Sequence, residues 1–345
     1  MSELLRINDL HVAFPTDDGL VRAVDGVSLT VSQGETVAIV GESGSGKTVT
    51  SLSVMGLHKK GTAEMSGSIS VAHDGGFLDV ISASEEEIRS MRGRSVAMIF
   101  QDPMSALHPY YKIGDQLAEA YLVHNPGKKK EAAARAVEML DLVGISEPAQ
   151  RAKEFPHQFS GGMRQRVMIA MALINNPKIL IADEPTTALD VTVQAQILLL
   201  LKELQKEFKM GILLITHDLG VVAGVADRVN VMYAGKIVES GLVDEIYYSP
   251  AAPYTMGLLS SIPSVYGKGT GRLSAIPGQP PSLINLPTGC SFEPRCSLKS
   301  LVKSANCATD KPQLIEDERG HFARCHLDLE TRRAEGKKVA AKGVK

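Results

Sequence analysis

Eight consecutive residues decide the fold class of this chain: Gly41-Glu42-Ser43-Gly44-Ser45-Gly46-Lys47-Thr48. They fit the phosphate-loop pattern G-x-x-x-x-G-K-[ST]. Glycines let a backbone wrap closely around an anion with its N–H groups pointing inward. A segment predicted as a strand (35–40) precedes the loop, and a predicted helix follows it with Val49, Leu52 and Met55 on one face. Because the positive end of that helix would face the same anion, the stretch predicts a site for nucleotide phosphates.

Two side chains of the loop are expected to contact the nucleotide or its metal. Lys47 can reach the β- and γ-phosphates, and the Thr48 hydroxyl can bind Mg²⁺. The remaining loop residues predicted to bind the nucleotide are Gly41, Ser43, Gly44, Ser45 and Gly46.

A second motif supplies the acidic half of such a site. The apolar run 179–182 predicts a strand buried on both faces, as in a parallel sheet. Asp183 and Glu184 follow it directly. Asp183 is the kind of side chain that holds Mg²⁺, directly or through water, and Glu184 can polarise the attacking water as general base. Together the two motifs predict a nucleotide-hydrolysing enzyme.

The periodicity around these motifs predicts an α/β fold. The segment 193–208 is a predicted helix, since its apolar residues recur at helical spacing. The segment 211–216 is a second buried strand, so strand, helix and strand form a parallel crossover. Strands at 229–233 and 236–239 are predicted to form a hairpin. Further predicted elements are strands over 21–31, 35–40 and 96–100, and helices over 113–144, broken at 125–127, and over 161–173.

Length and composition limit the function classes. The 345 residues correspond to about two domains, and a hydrophobic fraction of 44% is typical of a globular protein. The net charge of −2 argues against sequence-independent nucleic-acid binding, so no nucleic-acid partner is expected. No apolar run approaches the roughly 20 residues that cross a bilayer, and residues 1–6 are not expected to be a secretory signal. Any membrane role would therefore depend on partner subunits.

The sequence changes character after about residue 249. Prolines crowd the stretch 250–294 and periodicity is weak, which predicts a loop-rich module. The first 289 residues contain no cysteine, whereas four follow: Cys290, Cys296, Cys307 and Cys325. A reducing compartment is expected, which disfavours stable disulfides, so a metal or iron–sulfur site is the sharper hypothesis. The Lys- and Ala-rich stretch 331–345 predicts a disordered tail.

Five further motifs resemble those of the ATP-binding-cassette (ABC) ATPase family, in the family's order. They are the adenine-stacking aromatic (Phe14), the Q-loop glutamine (Gln101), the signature motif (Ser160-Gly161-Gly162-Met163-Arg164-Gln165), the D-loop (Ala188-Leu189-Asp190) and the switch histidine (His217). The resemblance implies an α/β P-loop NTPase cassette over residues 1–250. This cassette would have a RecA-like core with a mixed or parallel sheet, an antiparallel β subdomain and an α-helical subdomain at about 105–172.

The resemblance also implies how the site works. The signature of one cassette closes over the γ-phosphate held by a second cassette, so that two helix ends meet the charge. Glu184 would align the attacking water, His217 would contact the γ-phosphate, and Gln101 would bind Mg²⁺ and report nucleotide to a coupling partner. The residues that would act in trans are Ser160, Gly161, Gly162 and Asp190.

The signature departs from the family's usual LSGGQ at two positions. Met163 replaces the glutamine and Phe159 replaces the leucine. The backbone N–H groups and the Ser160 hydroxyl survive, so phosphate contact is expected to persist. The side-chain hydrogen bonds of a glutamine are lost, which leaves open whether the site completed by this signature is fully active.

Longer stretches resemble the ATPase subunits of bacterial dipeptide and oligopeptide importers. They are Gln101-Asp102-Pro103-Met104, 156–163, 183–192, Pro253-Tyr254-Thr255 and a C-terminal module (251–330) that contains the four cysteines. The resemblance implies a peripheral ATPase on the cytoplasmic face of the inner membrane. Its implied partners are two permease subunits, an extracytoplasmic peptide-binding protein and a second, related ATPase in a heterodimer of cassettes.

Other functions stay open from the sequence alone. Related importers carry nickel, glutathione or sugars. A soluble cassette ATPase is a further alternative, although no second cassette or long coiled-coil insertion is visible. A regulatory module that binds nucleotide without hydrolysis is disfavoured, since both Glu184 and His217 are present.

The cysteine spacing, C-x5-C-x10-C-x17-C, matches neither common zinc fingers nor the bacterial ferredoxin run. The phrase 289–296 resembles the C-terminal module of the peptide-importer ATPases, some of which carry a [4Fe–4S] cluster. The resemblance thus implies a cluster held by Cys290, Cys296, Cys307 and Cys325. Zinc and free or disulfide-paired thiols remain alternatives, as do His321 and His326 as additional ligands.

Overall fold

The computed structural model describes residues 2–59, 61–102, 106–187, 189–261, 276–303, 305–317 and 320–343, without the side chains of 341–343. Three residues of the motifs quoted above lie outside these ranges: Pro103, Met104 and Ala188. The strands are β1 (Glu3–Thr16), β2 (Gly19–Ser32), β3 (Thr36–Val40), β4 (Glu64–His73), β5 (Gly76–Asp79), β6 (Val96–Ile99), β7 (Ile179–Asp183), β8 (Gly211–Thr216), β9 (Arg228–Tyr233), β10 (Lys236–Leu242), β11 (Leu314–Glu316) and β12 (Phe322–Arg324). The helices are α1 (Lys47–Val54), α2 (Glu85–Met91), α3 (Ile113–Leu122), α4 (Lys129–Leu142), α5 (Pro148–Arg151), α6 (Gly161–Leu173), α7 (Val191–Phe208), α8 (Leu219–Val222), α9 (Val243–Tyr248), α10 (Pro253–Ser260) and α11 (Leu329–Gly343).

The main sheet has eight strands in the order β11-β12-β10-β9-β3-β8-β7-β6. The five strands from β9 to β6 are parallel to one another. Strands β10, β12 and β11 continue the sheet in antiparallel fashion at one edge. The predicted crossover is confirmed, because β7 and β8 are parallel neighbours joined through α7.

The middle of the main sheet is buried on both faces. Every residue of β3, β7 and β8 is buried. Side chains alternate across a strand, and accordingly Ala38 and Val40 join one core cluster while Val37 and Ile39 join the other. This confirms the prediction from the uniformly apolar runs. It also brings the carboxyl ends of neighbouring parallel strands, and the residues that follow them, to one edge.

A second sheet is antiparallel, with the order β2-β1-β4-β5. Its inner residues, such as Leu5 and Val27, share a core cluster with Val37 and Ile39, so this sheet packs on one face of the main sheet. Helices α3, α4 and α6 pack against one another. The antiparallel and helical subdomains expected of an ABC cassette are therefore both present.

The predicted hairpin of β9 and β10 is confirmed. Its two turn residues, Ala234 and Gly235, both have positive φ, 47° and 80°. Two consecutive left-handed residues match the twist of a two-residue hairpin turn.

The C-terminal part of the chain is joined to the cassette through the main sheet. Strand β12 pairs with β10, with Glu239 opposite Ala323, and β11 pairs with β12. Much of the remaining described chain between 276 and 317 has little regular structure, as its prolines predict. The division near residue 250 stays a prediction.

The tail differs from the expectation of disorder over 331–345, because the structure has helix α11 there. Asp328 accepts the N–H of Thr331 (2.8 Å), which satisfies a donor at the helix start. The helix packs on α10, and a Cβ at Gly336 would lie 2.1 Å from the Pro250 carbonyl oxygen. Glu, Lys, Arg and Ala are good helix formers, and docking against α10 adds the contacts that composition alone does not reveal. No helix within the described ranges is long and apolar enough to cross a membrane.

Candidate nucleotide site and cysteine cavity

The phosphate loop connects β3 to α1, as predicted. Its glycines are required by close approaches of other backbone segments. A Cβ at Gly41 would lie 2.1 Å from the Met232 carbonyl oxygen, and one at Gly46 (φ 107°) would lie 2.2 Å from the Ala23 carbonyl oxygen. The loop is therefore wedged between β2 and β9, and its shape is fixed by the surrounding sheet edges.

Lys47 is buried beneath this loop. Its ammonium group donates to the carbonyl oxygens of Gly41 (2.8 Å) and Glu42 (3.0 Å). Burial lowers the pKa of Lys47, and the carboxylates of Glu184 and Asp183 oppose that shift. The Ser45 hydroxyl is also buried and has no hydrogen-bond partner among the described residues. A positive charge and an unpaired hydroxyl inside a glycine loop fit the phosphate oxygens of a nucleotide.

The first acid of the second motif lies against the start of α1. Thr48 Oγ1 and Ser51 Oγ are each 3.4 Å from an oxygen of the Asp183 carboxylate. Burial raises the pKa of Asp183, and the hydrogen bond from Thr48 opposes that rise. A hydroxyl and a carboxylate at one point form part of an oxygen ligand set for Mg²⁺, so the two predicted ligands Thr48 and Asp183 are brought together.

Three other side chains contact the Glu184 carboxylate. Gln101 Nε2 and Thr187 Oγ1 each donate to one of its carboxylate oxygens (both 3.0 Å), and His217 Nδ1 lies 3.2 Å from the other. Glu184 has φ 47°, a conformation uncommon for a residue other than glycine. Its N–H donates to the Ile215 carbonyl oxygen (2.8 Å), which anchors it to β8. The structure thus brings Gln101, Glu184 and His217 together, and sequence reasoning missed Thr187 as the third partner.

One cleft of about 730 Å³ is lined by the charged and polar side chains of Lys47, Thr48, Gln101, Glu184, Thr187 and His217. Phe14 and Val21 belong to its lining, and the Phe14 ring stands edge-on to His58 at 5.5 Å between ring centres. Leu258 and Leu283 also line the cleft. The sequence contains no signal for these two leucines, because they come from α10 and a loop with weak periodicity. Phe14 as the adenine platform stays a prediction.

The signature motif lies elsewhere on the same chain. Ser160 caps α6 by accepting the N–H of Met163 (3.3 Å), and Asp190 caps α7 by accepting the N–H groups of Thr192 and Val193 (3.1 and 3.0 Å). A Cβ at Gly162 would lie 2.9 Å from Val193, so the two caps are neighbours. Among the described residues, the ones that line the cleft include none from 160–163. In a single chain, the predicted trans residues are therefore separate from the residues predicted to act in cis.

The four cysteines line a second cavity, of about 150 Å³. All four are free thiols, which differs from the disulfide alternative. Burial raises the pKa of each thiol, and that of Cys325 to about 11. Within the described ranges, no three His, Cys, Asp or Glu side chains are arranged as a metal-binding group. The structure thus gathers the four predicted ligands around one cavity, and the cluster itself stays a prediction.

The two histidines considered as extra ligands have different positions. His321 Nε2 lies 2.7 Å from the buried Glu239 carboxylate. His321 is therefore held in an ion pair with Glu239 on β10. The same carboxylate also accepts the N–H groups of Ala251 and Ala252 (both 2.7 Å). His326 does line the cysteine cavity, and its Nε2 donates to the Asp310 carbonyl oxygen (2.9 Å).

Comparisons with known proteins agree with this geometry. The sequence profile "ABC transporter" matches residues 24–187, and the profile "Oligopeptide/dipeptide transporter, C-terminal region" matches residues 238–301. The chain is 52% identical over 328 residues to the oligopeptide transport ATP-binding protein AppD of Bacillus subtilis, covering 95% of this chain and 97% of that one. It is 53% identical over 306 residues to the dipeptide transport ATP-binding protein DppD of the same organism, covering 88% and 89%.

Solved structures show the same fold. The dimeric structure of MJ0796, described as a bacterial ABC transporter cassette, superposes with a TM-score of 0.61 at 27% identity. It covers 70% of this chain and 99% of the cassette. The remaining 30% lies outside that match.

Proposed function

The chain belongs to the ABC transporter family of oligopeptide and dipeptide ATP-binding proteins, and from this we propose how its nucleotide site powers peptide import. The chain is an ABC-type ATPase, and its activity drives uptake of oligopeptides or dipeptides through a membrane importer. One observation carries the catalytic proposal. The Glu184 carboxylate contacts Gln101, Thr187 and His217 at the edge of the cleft that also contains Lys47.

In the proposed reaction, a water oxygen attacks the γ-phosphorus and the bond to the β-γ bridging oxygen breaks, giving ADP and phosphate. Glu184 accepts the water proton, and His217 and Gln101 hold the carboxylate and the water in line. Lys47 and the loop N–H groups stabilise the phosphate charge. Thr48 and Asp183 would hold Mg²⁺, which neutralises charge on the β- and γ-phosphate oxygens, and Gln101 is the further ligand that we propose.

A complete site would need two cassettes. Residues 160–162 and Asp190, all within the described ranges, do not line the cleft of their own chain, which supports this arrangement. In it, Ser160, Gly161, Gly162 and Asp190 act on the partner's nucleotide. Two solved structures of the similar cassette MJ0796 are dimeric, and one of them is a post-hydrolysis state bound to ADP and Pi. We propose that the second cassette is a related chain rather than a second copy. Mass spectrometry of the purified complex would show one copy of each, whereas two copies of this chain alone would contradict the proposal.

The other proposed partners are two permease subunits and an extracytoplasmic peptide-binding protein, with this chain peripheral to the membrane. The test is reconstitution of the complex in lipid vesicles with MgATP and the binding protein. We expect labelled di- or oligopeptides to be taken up and to stimulate ATP hydrolysis. Nickel, glutathione or a sugar as the transported solute would contradict peptide import, and a complex without ATPase activity would contradict the assignment of the site.

For the cysteine cavity we propose a [4Fe–4S] cluster held by Cys290, Cys296, Cys307 and Cys325. The support is that four otherwise dispersed thiols line one cavity. Iron would stabilise the thiolate forms that burial now disfavours, and the cluster would hold together a segment with little regular structure. Anaerobic purification should give a brown protein with iron and sulfide. Colourless protein without iron would contradict the cluster, and zinc in its place would identify the alternative.

A further inference from the structure

The second residue of the phosphate loop is held by a residue from the far end of the chain. Arg295 Nη1 donates to one oxygen of the Glu42 carboxylate (2.6 Å) and Arg295 Nη2 donates to the other (2.9 Å). Two parallel charge-assisted hydrogen bonds fix both distance and direction. The Arg295 side chain is only 4% exposed, whereas that of Glu42 is 28% exposed.

Arg295 is itself held rigidly. Its Nε donates to the Pro277 carbonyl oxygen (2.9 Å), and its guanidinium lies 5.8 Å from the centre of the Tyr233 ring and 6.0 Å from that of Phe292. A planar guanidinium that stacks on aromatic rings and uses its fork on a carboxylate loses little freedom on binding. A lysine could supply the charge at this position but not the geometry.

Three groups of Glu42 are fixed by hydrogen bonds: its carboxylate, its N–H and its carbonyl oxygen. Its carboxylate is held by Arg295, its N–H donates to the Tyr254 hydroxyl (2.9 Å), and its carbonyl oxygen accepts from Lys47 (3.0 Å). Tyr254 and Arg295 both come from the C-terminal module. The next residues, Ser43 and Gly44, supply loop N–H groups that we assign to the phosphates. The orientation of the Glu42 peptide therefore determines where those N–H groups point.

A purely structural explanation is that the ion pair fastens the C-terminal module to the cassette. That explanation does not require the acidic partner to lie inside the phosphate loop, nor a second contact from the same module to the same residue. The ion pair of Arg228 and Glu35 (3.0 Å) is an example of a purely structural ion pair. Glu35 lies before β3, which is the opposite end of this strand from the phosphate loop.

We propose that Arg295 is a positioning residue for nucleotide binding, which acts through Glu42 to hold the phosphate loop in its binding shape. The ATP affinity of the cassette then depends on the docked C-terminal module. The proposal rests on the proposed function only in that loop 41–48 binds ATP phosphates.

The test compares the purified, intact protein with four variants: Arg295→Met, Arg295→Lys, Glu42→Gln and the double variant of Arg295→Met with Glu42→Gln. MgATP affinity is measured by calorimetry, the KM for ATP and kcat are measured in the reconstituted complex, and unfolding is followed in parallel. We expect Arg295→Met to weaken ATP affinity and raise the KM about tenfold, with kcat changed less than about twofold. Arg295→Lys should recover part of the affinity, and the double variant should be no worse than the worse single variant, because the two residues form one unit.

The control is Arg228→Met, which removes an ion pair of similar type away from the loop and should leave the KM unchanged. If Arg295→Met lowered the unfolding midpoint while ATP affinity stayed within about twofold of wild type, the residue would be a structural fastener and the proposal would be wrong. Should Arg295→Met fail to fold, Glu42→Gln decides the question, since the partly exposed Glu42 site tolerates the amide. ATP affinity within about twofold of wild type in Glu42→Gln would then overturn the proposal. Wild-type protein that bound no ATP would instead overturn the proposed function, so the two failures are distinct.

Discussion

The nucleotide cleft and the cysteine cavity are built in opposite ways, although one aromatic group lines the cavity and also contacts the phosphate loop. Tyr233, Tyr254 and Phe292 line the cysteine cavity, and their rings pack together at 4.5 to 5.4 Å between centres. Tyr254 also accepts the N–H of Glu42 in the phosphate loop. The cleft uses residues that follow buried parallel strands. The cavity is built mainly from irregular chain and from side chains that meet across long sequence separations.

The nucleotide cleft and the cysteine cavity therefore depend on different kinds of contact. In the cleft, consecutive backbone groups and strand ends place most of the groups that contact the nucleotide, and Arg295 holds the phosphate loop from outside the main sheet. Beside the cavity, buried polar pairs such as His321 with Glu239 hold the chain. We therefore expect substitutions in the cleft to weaken ATP binding or hydrolysis. Substitutions beside the cavity should instead lower the free energy of unfolding.

The largest effect is expected from removing the general base of the cleft. Glu184→Gln should lower kcat by about 10²- to 10⁴-fold, because the amide cannot accept the water proton. ATP affinity should remain, since Lys47 and the loop are untouched. ATPase assays and calorimetry on the same preparations check this. Glu207→Gln, an exposed change on α7, is the control; hydrolysis that survived Glu184→Gln would remove Glu184 from its assigned role.

The corresponding change beside the cavity should affect stability. Glu239→Ala removes the acceptor of two buried N–H groups and the partner of His321. Leaving such groups unpaired costs about 3–5 kcal/mol. Urea unfolding should show this loss, and hydrogen exchange should place it at α10 and β12. Glu316→Ala, at an exposed position of β11, should change stability little. An unchanged exchange pattern in Glu239→Ala would contradict the structural role.

Two leucines three residues apart allow the two sites to be tested separately, because Leu283 lines the cleft and Leu286 lines the cavity. Leu283→Ala should raise the KM for ATP about fivefold, since it removes part of the apolar lining of the cleft. The kcat should not change. Leu286→Ala should leave the KM alone and lower stability instead. Steady-state kinetics and thermal unfolding of both variants separate the two sites, and equal KM effects would show that they are not distinct.

The smallest effect is a pH dependence confined to the cavity side. Burial alone would lower the pKa of His321, but the Glu239 carboxylate outweighs it and the pKa is raised. A raised pKa in the folded state means that the ion pair adds stability below the ordinary histidine pKa of about 6.5. This contribution is lost as the pH rises from there through the folded-state pKa. Unfolding free energies measured across that range should fall in wild type and fall less in His321→Gln; identical profiles would contradict the assignment.

Sequence reasoning alone predicted the phosphate loop, the two acids at the end of β7, the crossover through α7 and the family. These features are local: a glycine pattern specifies a backbone shape, and a run of buried apolar residues specifies a strand whose end carries the next side chain. The four cysteines were also singled out from the sequence, although it left their state open.

The contacts between distant segments became evident only from the folded structure. It placed Arg295 on Glu42, 253 residues away, and His321 on Glu239 rather than among the cysteines. It also made a helix of the tail, through docking on α10. Such pairs carry no signal in residue type or spacing, because each side chain alone is also compatible with an exposed loop. Their energies arise only when folding removes both partners from water together.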